Sequence, residues 1–289
     1  MEIFIDVLKD VMIDGLKVLP FLFITYLVME LIEHRTGEKA KKIIKKSGRF
    51  GPLLGGFLGV VPQCGFSAAS ATLYSARILS LGTLIAVFLS TSDEMLPIMI
   101  SEAVEPALIF KILGIKLVLG IIYGFIIDLV IYLFNRKKAK KEEEEAEEIT
   151  HMCEHDHCHC EKGIFKSSIK HTLSTWLFIL LVTLIVGLII GYIGEDNVKE
   201  FIAHIPVVGL LVSGLFGLLP NCAGSVIITE LYLEQMISFG SMMAGLLVAS
   251  GVGILILFRT NNHLKQNLGI VSILYVLGII SGFILDLIF

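Results

Sequence analysis

The chain has 289 residues, of which 55% are hydrophobic and only 17% charged, with a mean hydropathy of +0.84. An ordinary soluble domain carries roughly 25% charged residues, so this composition excludes one. The net charge of -4 identifies no partner, because the charges sit almost entirely between apolar runs of about twenty residues, each long enough to cross a bilayer core.

The N-terminus, Met1 to Asp6, lacks a basic region and a small-residue cleavage site, so no removable signal peptide is expected. A first span is expected from about Val11 to Ile32, with Pro20 as a kink. The loop from His34 to Arg49 sets Lys39, Lys41, Lys42, Lys45, Lys46 and Arg49 against Glu38. Such a basic run reads as cytoplasmic.

From Gly51 to Tyr74 the chain is apolar and rich in small residues, but Pro62-Gln63-Cys64-Gly65 interrupts it. A proline removes a backbone donor and clashes with the preceding turn, freeing carbonyls that hydrocarbon cannot satisfy. The next span covers about Leu79 to Ile100 and holds Ser90-Thr91-Ser92-Asp93-Glu94 near its middle. A long apolar run follows from Pro106 to Phe134, containing Lys111, Lys116 and Asp128.

A linker then runs from basic Arg136-Lys137-Lys138 through acidic Glu142 to Glu148 and on to about Lys170. Its like-charge blocks repel one another and lack core-forming residues, so no packed fold is expected there without metal. The second half predicts spans at Thr172 to Ile193, Ile237 to Phe258 and Leu268 to Phe289, with a broken segment from Ile205 to Tyr232. The expected domains are thus 1–134, a linker at 135–170, and 171–289.

The two halves are copies. At an offset of 158, Gly56, Gly59, Pro62, Cys64 and Ser67 fall on Gly214, Gly217, Pro220, Cys222 and Ser225, and Tyr74, Ser80 and Gly82 on Tyr232, Ser238 and Gly240. Gly120, Gly124, Phe125 and Asp128 meet Gly278, Gly282, Phe283 and Asp286. The basic loop and the basic start of the linker should share the cytoplasmic side, so an even number of crossings separates them.

The broken segment therefore either enters and leaves on one side or crosses twice as a compressed hairpin. Each half then has an odd number of crossings, and the repeats are inverted. The fold expected is an all-α polytopic membrane protein of two inverted repeats, each with a proline-broken hairpin. It has about ten membrane helices counting hairpin arms, with both termini outside.

Paired breaks of this kind locate a transporter's binding site. Gln63 and Asn221 bring amides, Ser67 and Ser225 hydroxyls, and Cys64 and Cys222 soft sulfur. Sulfur selects soft or borderline ions such as Zn(II), Cu(I) or trivalent arsenic over Mg and Ca. An isolated Cys beside glycine is more often a small packing residue; two at equivalent positions beside Pro and an amide favour a site lining.

Asp93 and Glu94 have Gly251 and Val252 as counterparts, so the acidic pair occurs once. A charge at mid-span costs about 2.5–3.5 kcal/mol on insertion scales and usually marks an ion or proton pathway. Asp128 and Asp286 match across the repeats near span ends. With Lys111 and Lys116 in the same long segment, Asp128 reads as a structural pair or a snorkelling anchor.

In the linker, His151, Cys153, His155, His157, Cys158, His159 and Cys160, with Glu154 and Asp156, crowd metal-ligand types into ten residues. The spacing matches no closed zinc-finger pattern, which favours loose capture or sensing of zinc over a structural site. The five cysteines, split between spans and linker, do not form a disulfide framework. No Walker A sequence, Ser-His-Asp elbow or intramembrane HExxH is present, so an enzyme is not expected and transport would be secondary.

The Pro-Gln-Cys-Gly break at Pro62 to Gly65, the run Ser90 to Glu94, the break at Pro220 to Ser225 and the His/Cys linker together resemble the ten-span heavy-metal exporters. These are variously labelled arsenic efflux proteins or manganese transporters and are distantly like the organoarsenical permeases. The resemblance covers nearly the whole chain and implies a bacterial or archaeal inner membrane.

The sequence thus predicts an exporter of a heavy-metal ion, Zn or Mn type, from the cytoplasm, coupled to protons. Gln63, Cys64, Asn221, Cys222, Ser67 and Ser225 would line the site, and Asp93 and Glu94 would serve as ligands or proton carriers. Arsenite or organoarsenical efflux and metal sensing are the rivals. No cofactor beyond the transported ion is expected; the partners are the bilayer, the ion and, in a homodimer, a second copy, with no nucleic acid.

Overall fold

The computed structural model describes residues 7–9, 11–13, 15–16, 18–20, 22–24, 26–27, 50–61, 64–92, 95–135, 164–193, 209–220 and 223–289. Residues described between 7 and 27 are helical and form an N-terminal segment. After it come α1 (Gly51–Val60), α2 (Cys64–Ser75), α3 (Leu81–Ser90), α4 (Met95–Ser101) and α5 (Pro106–Asn135). The second half holds α6 (Ile164–Ile193), α7 (Gly209–Gly217), α8 (Ala223–Leu233), α9 (Phe239–Val248), α10 (Gly253–Thr260) and α11 (Leu264–Ile288). Helix α6 begins at Ile164, inside the expected linker. Among the described residues there is no strand.

Two expected spans are interrupted. Leu79 to Ile100 stops at Ser90 and resumes at Met95, and Ile237 to Phe258 stops at Val248 and resumes at Gly253. Neither interruption contains a proline. In the first, Ser90 Oγ donates to the Ala86 carbonyl (2.7 Å) and Thr91 Oγ1 to the Val87 carbonyl (2.7 Å). Hydroxyls that bond back one turn compete with the helix ladder and bend it. In the second, Gly251 takes a φ of 53°, a left-handed conformation that glycine adopts without steric cost.

Glycine contacts give the helix directions. Gly51 faces Thr83, Gly55 faces Thr83 and Val87, and Gly59 faces Ser90, so α1 runs parallel to α3. Gly120 faces the Ala86 carbonyl and Gly124 the Gly82 carbonyl, so α5 runs antiparallel to α3. Helix α2 ends in a left-handed cap: Arg77 has φ 58°, and Ile78 N–H donates to the Leu73 carbonyl at 2.9 Å.

Three residues later Ser80 caps α3. The chain therefore enters along α1, which ends at Val60, and returns along α2 to the end where α3 begins. The broken segment is thus a hairpin, with a ten-residue first arm only about 15 Å long. The second half repeats the pattern, with Gln235 at φ 59° and Met236 N–H donating to the Leu231 carbonyl at 2.9 Å.

Each repeat is held by one acidic clamp. Asp128, near the end of α5, accepts from Ser80 Oγ (2.7 Å) and Gly82 N–H (2.8 Å) at the start of α3. Asp286 accepts from Ser238 Oγ (2.8 Å) and Gly240 N–H (2.7 Å). The aspartates are N-terminal helix anchors; a pairing of Asp128 with Lys111 or Lys116 does not form. A Cβ at Gly82 would run into the Gly124 carbonyl and the Asp128 carboxyl, and one at Gly240 into Gly282 and Asp286.

The repeats interlock by exchange. Helix α2 packs on α10, and α8 on α4. Ser67 lies beside Gly253 and Ser75 Oγ is 2.6 Å from Thr260 Oγ1, so α2 and α10 are parallel. Gln266, at the start of α11, donates to Tyr74 OH at 2.8 Å. The far end of α11 carries Asp286 and the start of α9.

Lys111, at the start of α5, sits 3.3 Å from the centroid of Phe289 and 5.1 Å from that of Phe239. The Asp128 and Asp286 clamps therefore lie at opposite ends of the bundle, and the repeats are inverted. Tyr123 OH meets Ser281 Oγ at 2.9 Å; these positions are 158 residues apart, so a residue touches its own counterpart at the pseudo-two-fold axis.

Burial separates the core from the lipid face. The most hydrophobic 18-residue stretch within Phe239–Thr260 is 89% buried, and that within Pro106–Phe134 only 11%. Both lie among five segments long and apolar enough to cross a membrane. The interrupted helices thus form the centre, and α5, α6 and α11 the lipid-facing wall.

The clamps should matter more than surface ion pairs do. Asp128→Ala or Asp286→Ala should each lower stability in detergent by about 1–3 kcal/mol, because two donors are orphaned, whereas Asp128→Asn keeps an acceptor and should lose less. Thermal denaturation of the purified protein checks this. Gly82→Ala and Gly240→Ala should abolish the stable monodisperse protein.

Candidate functional site

The interruptions meet at half depth. Ser92 Oγ donates to the Val60 carbonyl at 2.8 Å, joining the break after α3 to the tip of the α1–α2 hairpin. Beside them a small polar cavity is lined by Thr91, Ser92, Met95 and Lys116 of the first repeat and by Ser225, Leu246, Ala249 and Gly251 of the second. It is therefore shared between the repeats, at the junction of two broken spans and one hairpin. Its size suits about one water molecule.

Lys116 is the charged side chain among the described lining residues. It is 1% exposed, and its Nζ donates to the Leu246 carbonyl at 2.7 Å. Helix α9 ends two residues later, and the last four carbonyls of a helix have no partner within it. The ammonium thus satisfies an orphan acceptor and complements the negative end of the helix dipole. The counterpart carbonyl, Phe88, instead receives Thr91 N–H at 3.4 Å, and the counterpart of Lys116 is Leu274.

Ser225 lines the cavity and is 6% exposed, while its counterpart Ser67 is fully buried against Gly253 and away from the lining. Ser250, the counterpart of Ser92, is also fully buried, and its Oγ has no hydrogen-bond partner among the described residues. The repeats share a backbone plan but not a set of polar contacts.

Cys64 is the first residue of α2, and its side chain is outside the described residues, as are Gln63, Asp93, Glu94, Asn221 and Cys222 and the linker ligands His151, Cys153, His155, His157, Cys158, His159 and Cys160. Asp93 and Glu94 connect Ser92 to Met95, which both line the cavity. Among the described residues no group of three His, Cys, Asp or Glu side chains could hold a metal ion.

Lys116 is the residue that sequence reasoning missed. The signal was present: a charge in the middle of an apolar span with an apolar counterpart in the other repeat, the same asymmetry that marks Asp93-Glu94. Grouping it with Lys111 as an anchor hid it. Lys111 does reach the end of the bundle, stacking on Phe289, and Lys116 does not.

An apolar exterior around an inverted pair of interrupted helices, with a polar cavity between them, defines a polytopic membrane protein with a buried polar site. The chain belongs to the family described as "Putative, 10TM heavy-metal exporter", whose model matches residues 1–196 and 190–289. Comparison with curated proteins and with solved structures finds no match.

The two equivalent serines should respond oppositely to truncation. Ser92→Ala removes a made bond and should cost about 1 kcal/mol, whereas Ser250→Ala removes an unsatisfied buried hydroxyl and should gain a comparable amount. Melting temperatures of the two variants in the same detergent check the sign.

Proposed function

We propose that the protein is a secondary-active exporter that moves a divalent heavy-metal cation of the Zn or Mn type out of the cytoplasm in exchange for protons. The observation that carries this reading is the cavity itself, shared by two inverted repeats and ringed by the ends of interrupted helices. Such ends present unpaired carbonyls and amides at mid-membrane, the arrangement from which alternating-access sites are built. Family membership supports metal export in general.

In this reading Cys64, Cys222, Gln63 and Asn221 line the path from the hairpin tips, and Ser67 and Ser225 add hydroxyls. Asp93 and Glu94, adjoining the cavity in sequence, supply negative charge as ligands or proton carriers. A zinc-type ion draws on the sulfurs, and a manganese-type ion more on carboxylates and carbonyls. The protein sits in the inner membrane of the cell, and the tract His151 to Cys160 gathers the ion on its cytoplasmic side.

One observation favours a second reading. A lysine ammonium in the cavity repels a dication but not a neutral metalloid hydroxide, so arsenite efflux through the same path is the rival. Flux into proteoliposomes of Zn, Mn and arsenite across a pH gradient decides. Zn or Mn flux should respond to the gradient, and Asp93→Asn with Glu94→Gln should reduce it by a factor of about ten or more, the loss of a charge ligand being worth several kcal/mol. Arsenite flux indifferent to those substitutions would support the rival, and no metal-dependent flux would sink the exporter reading.

A further inference from the structure

We infer that a hydrogen-bonded latch between α2 of the first repeat and the α10–α11 turn of the second holds one gate of the carrier shut, and that the matching gate at the opposite end lacks it. The inference rests on the secondary-transporter reading above but not on which ion is moved. It adds the residues that set which way the empty protein faces.

The latch lies at the end of the bundle that carries Arg77. Helix α2 follows α10 along its length, from Ser67 beside Gly253 to Ser75 Oγ, 2.6 Å from Thr260 Oγ1. Beyond that pair Gln266 Nε2 donates to Tyr74 OH at 2.8 Å, joining α2 to the start of α11. Asn261 Nδ2 in turn donates to Gln266 Oε1 (3.3 Å) and to Asn267 Oδ1 (2.6 Å). Asn267 Nδ2 donates back to the Asn261 carbonyl at 2.9 Å, so the turn that presents Gln266 is itself fixed. Tyr74, Asn261 and Asn267 are all buried. Polar groups this deep stay bonded or cost free energy, so α2 cannot leave the second repeat without breaking the set or wetting it.

The other end has the same backbone plan without these groups. At the offset of 158, Ser75 falls on Leu233, Asn261 on Ala103, Gln266 on Leu108 and Asn267 on Ile109. Those four counterparts carry no hydrogen-bonding side chain. Tyr232, the counterpart of Tyr74, is only half-buried and packs its ring edge-to-face on Phe239 at 6.0 Å. Packing follows the chemistry. Helix α10 buries Gly253, Ile254, Leu255, Ile256 and Leu257, whereas α4 buries Met95 and Met99 and leaves Pro97, Ile100 and Ser101 exposed. Two inverted repeats that rock about a mid-membrane site close one end as they open the other. The tight α2–α10 seam and the looser α8–α4 seam thus mark a carrier shut at the Arg77 end, biased that way by bonds its twin cannot form. A purely structural network would also hold α2 to α10, but the α8–α4 seam would then have no reason to respond when the bonds are removed.

The test is a pair of distances in the purified full-length protein in nanodiscs, without added metal, read by double electron–electron resonance between spin labels in a cysteine-free background. Labels on Arg77→Cys and Lys265→Cys span the latched end, and labels on the equivalent Gln235→Cys and Ala107→Cys span the other; all four positions are exposed. Gln266→Leu, which installs the residue of the other repeat, should lengthen the first distance and shorten the second in the same fraction of molecules. The ratio of the two states should shift by about fivefold or more. Tyr74→Phe removes one hydroxyl and should act in the same direction, while Tyr232→Phe, at the unlatched end, should move neither distance. A folded Gln266→Leu protein whose second distance does not shorten, or an equal response to Tyr232→Phe, would overturn the inference. If Gln266→Leu does not fold, the absence of any shift in Tyr74→Phe would overturn it instead. Each of these outcomes leaves the exporter reading intact, which flux into proteoliposomes tests separately.

Discussion

A helix that stops halfway across a bilayer leaves amides and carbonyls without partners, and each costs several kcal/mol in hydrocarbon. Helix ends at Val60, Ser90, Gly217 and Val248 concentrate that demand in one layer of the molecule. The structure meets part of it by trading groups between elements. Ser92 serves the Val60 carbonyl and Lys116 the Leu246 carbonyl, while Thr91 bonds back to Val87. The broken helices can be tolerated only because they are buried against one another, and α5 and α11 shield them from lipid. Core placement and the site are consequences of the same constraint.

The inverted arrangement gives these trades their geometry. Each repeat brings its hairpin in from its own end, clamps it near an aspartate at the start of the broken span, and sends its tip to the middle. Helix α2 then pairs with α10 of the other repeat and α8 with α4, so neither half buries its polar tips alone. Against this symmetry stand a few residues present once: Lys116 opposite Leu274, and Asp93-Glu94 opposite Gly251-Val252. Two-fold backbone with one-sided charge is what a carrier needs if its two faces are to open alike while a single ion is handled in one place.

Much of this was legible in the sequence. The 158-residue offset, carried by Pro62, Cys64, Gly82 and Asp128, gave the repeat, and the prolines gave the hairpins. Two things were not legible. The breaks at 91–94 and 249–252 contain no proline, and the hydroxyls and the glycine that cause them look the same in an unbroken span. The donors to Asp128 and Asp286 lie 46 and 48 residues away, a distance at which no local pattern signals contact, so the aspartates read as generic anchors. Ser225 reaches the cavity and Ser67 does not, a difference set by tertiary packing of two nearly identical segments.

The inverted fold is tested most directly by where its two equivalent turns lie. Arg77 and Gln235 occupy matching left-handed positions in the turns after α2 and α8, and both are exposed. Single cysteines placed there in a cysteine-free background can be labelled in oriented vesicles with a membrane-impermeant thiol reagent. Inverted repeats predict labelling from opposite sides, Arg77→Cys only from one face and Gln235→Cys only from the other. Labelling of both from one side would contradict the inversion and the shared mid-membrane site built on it.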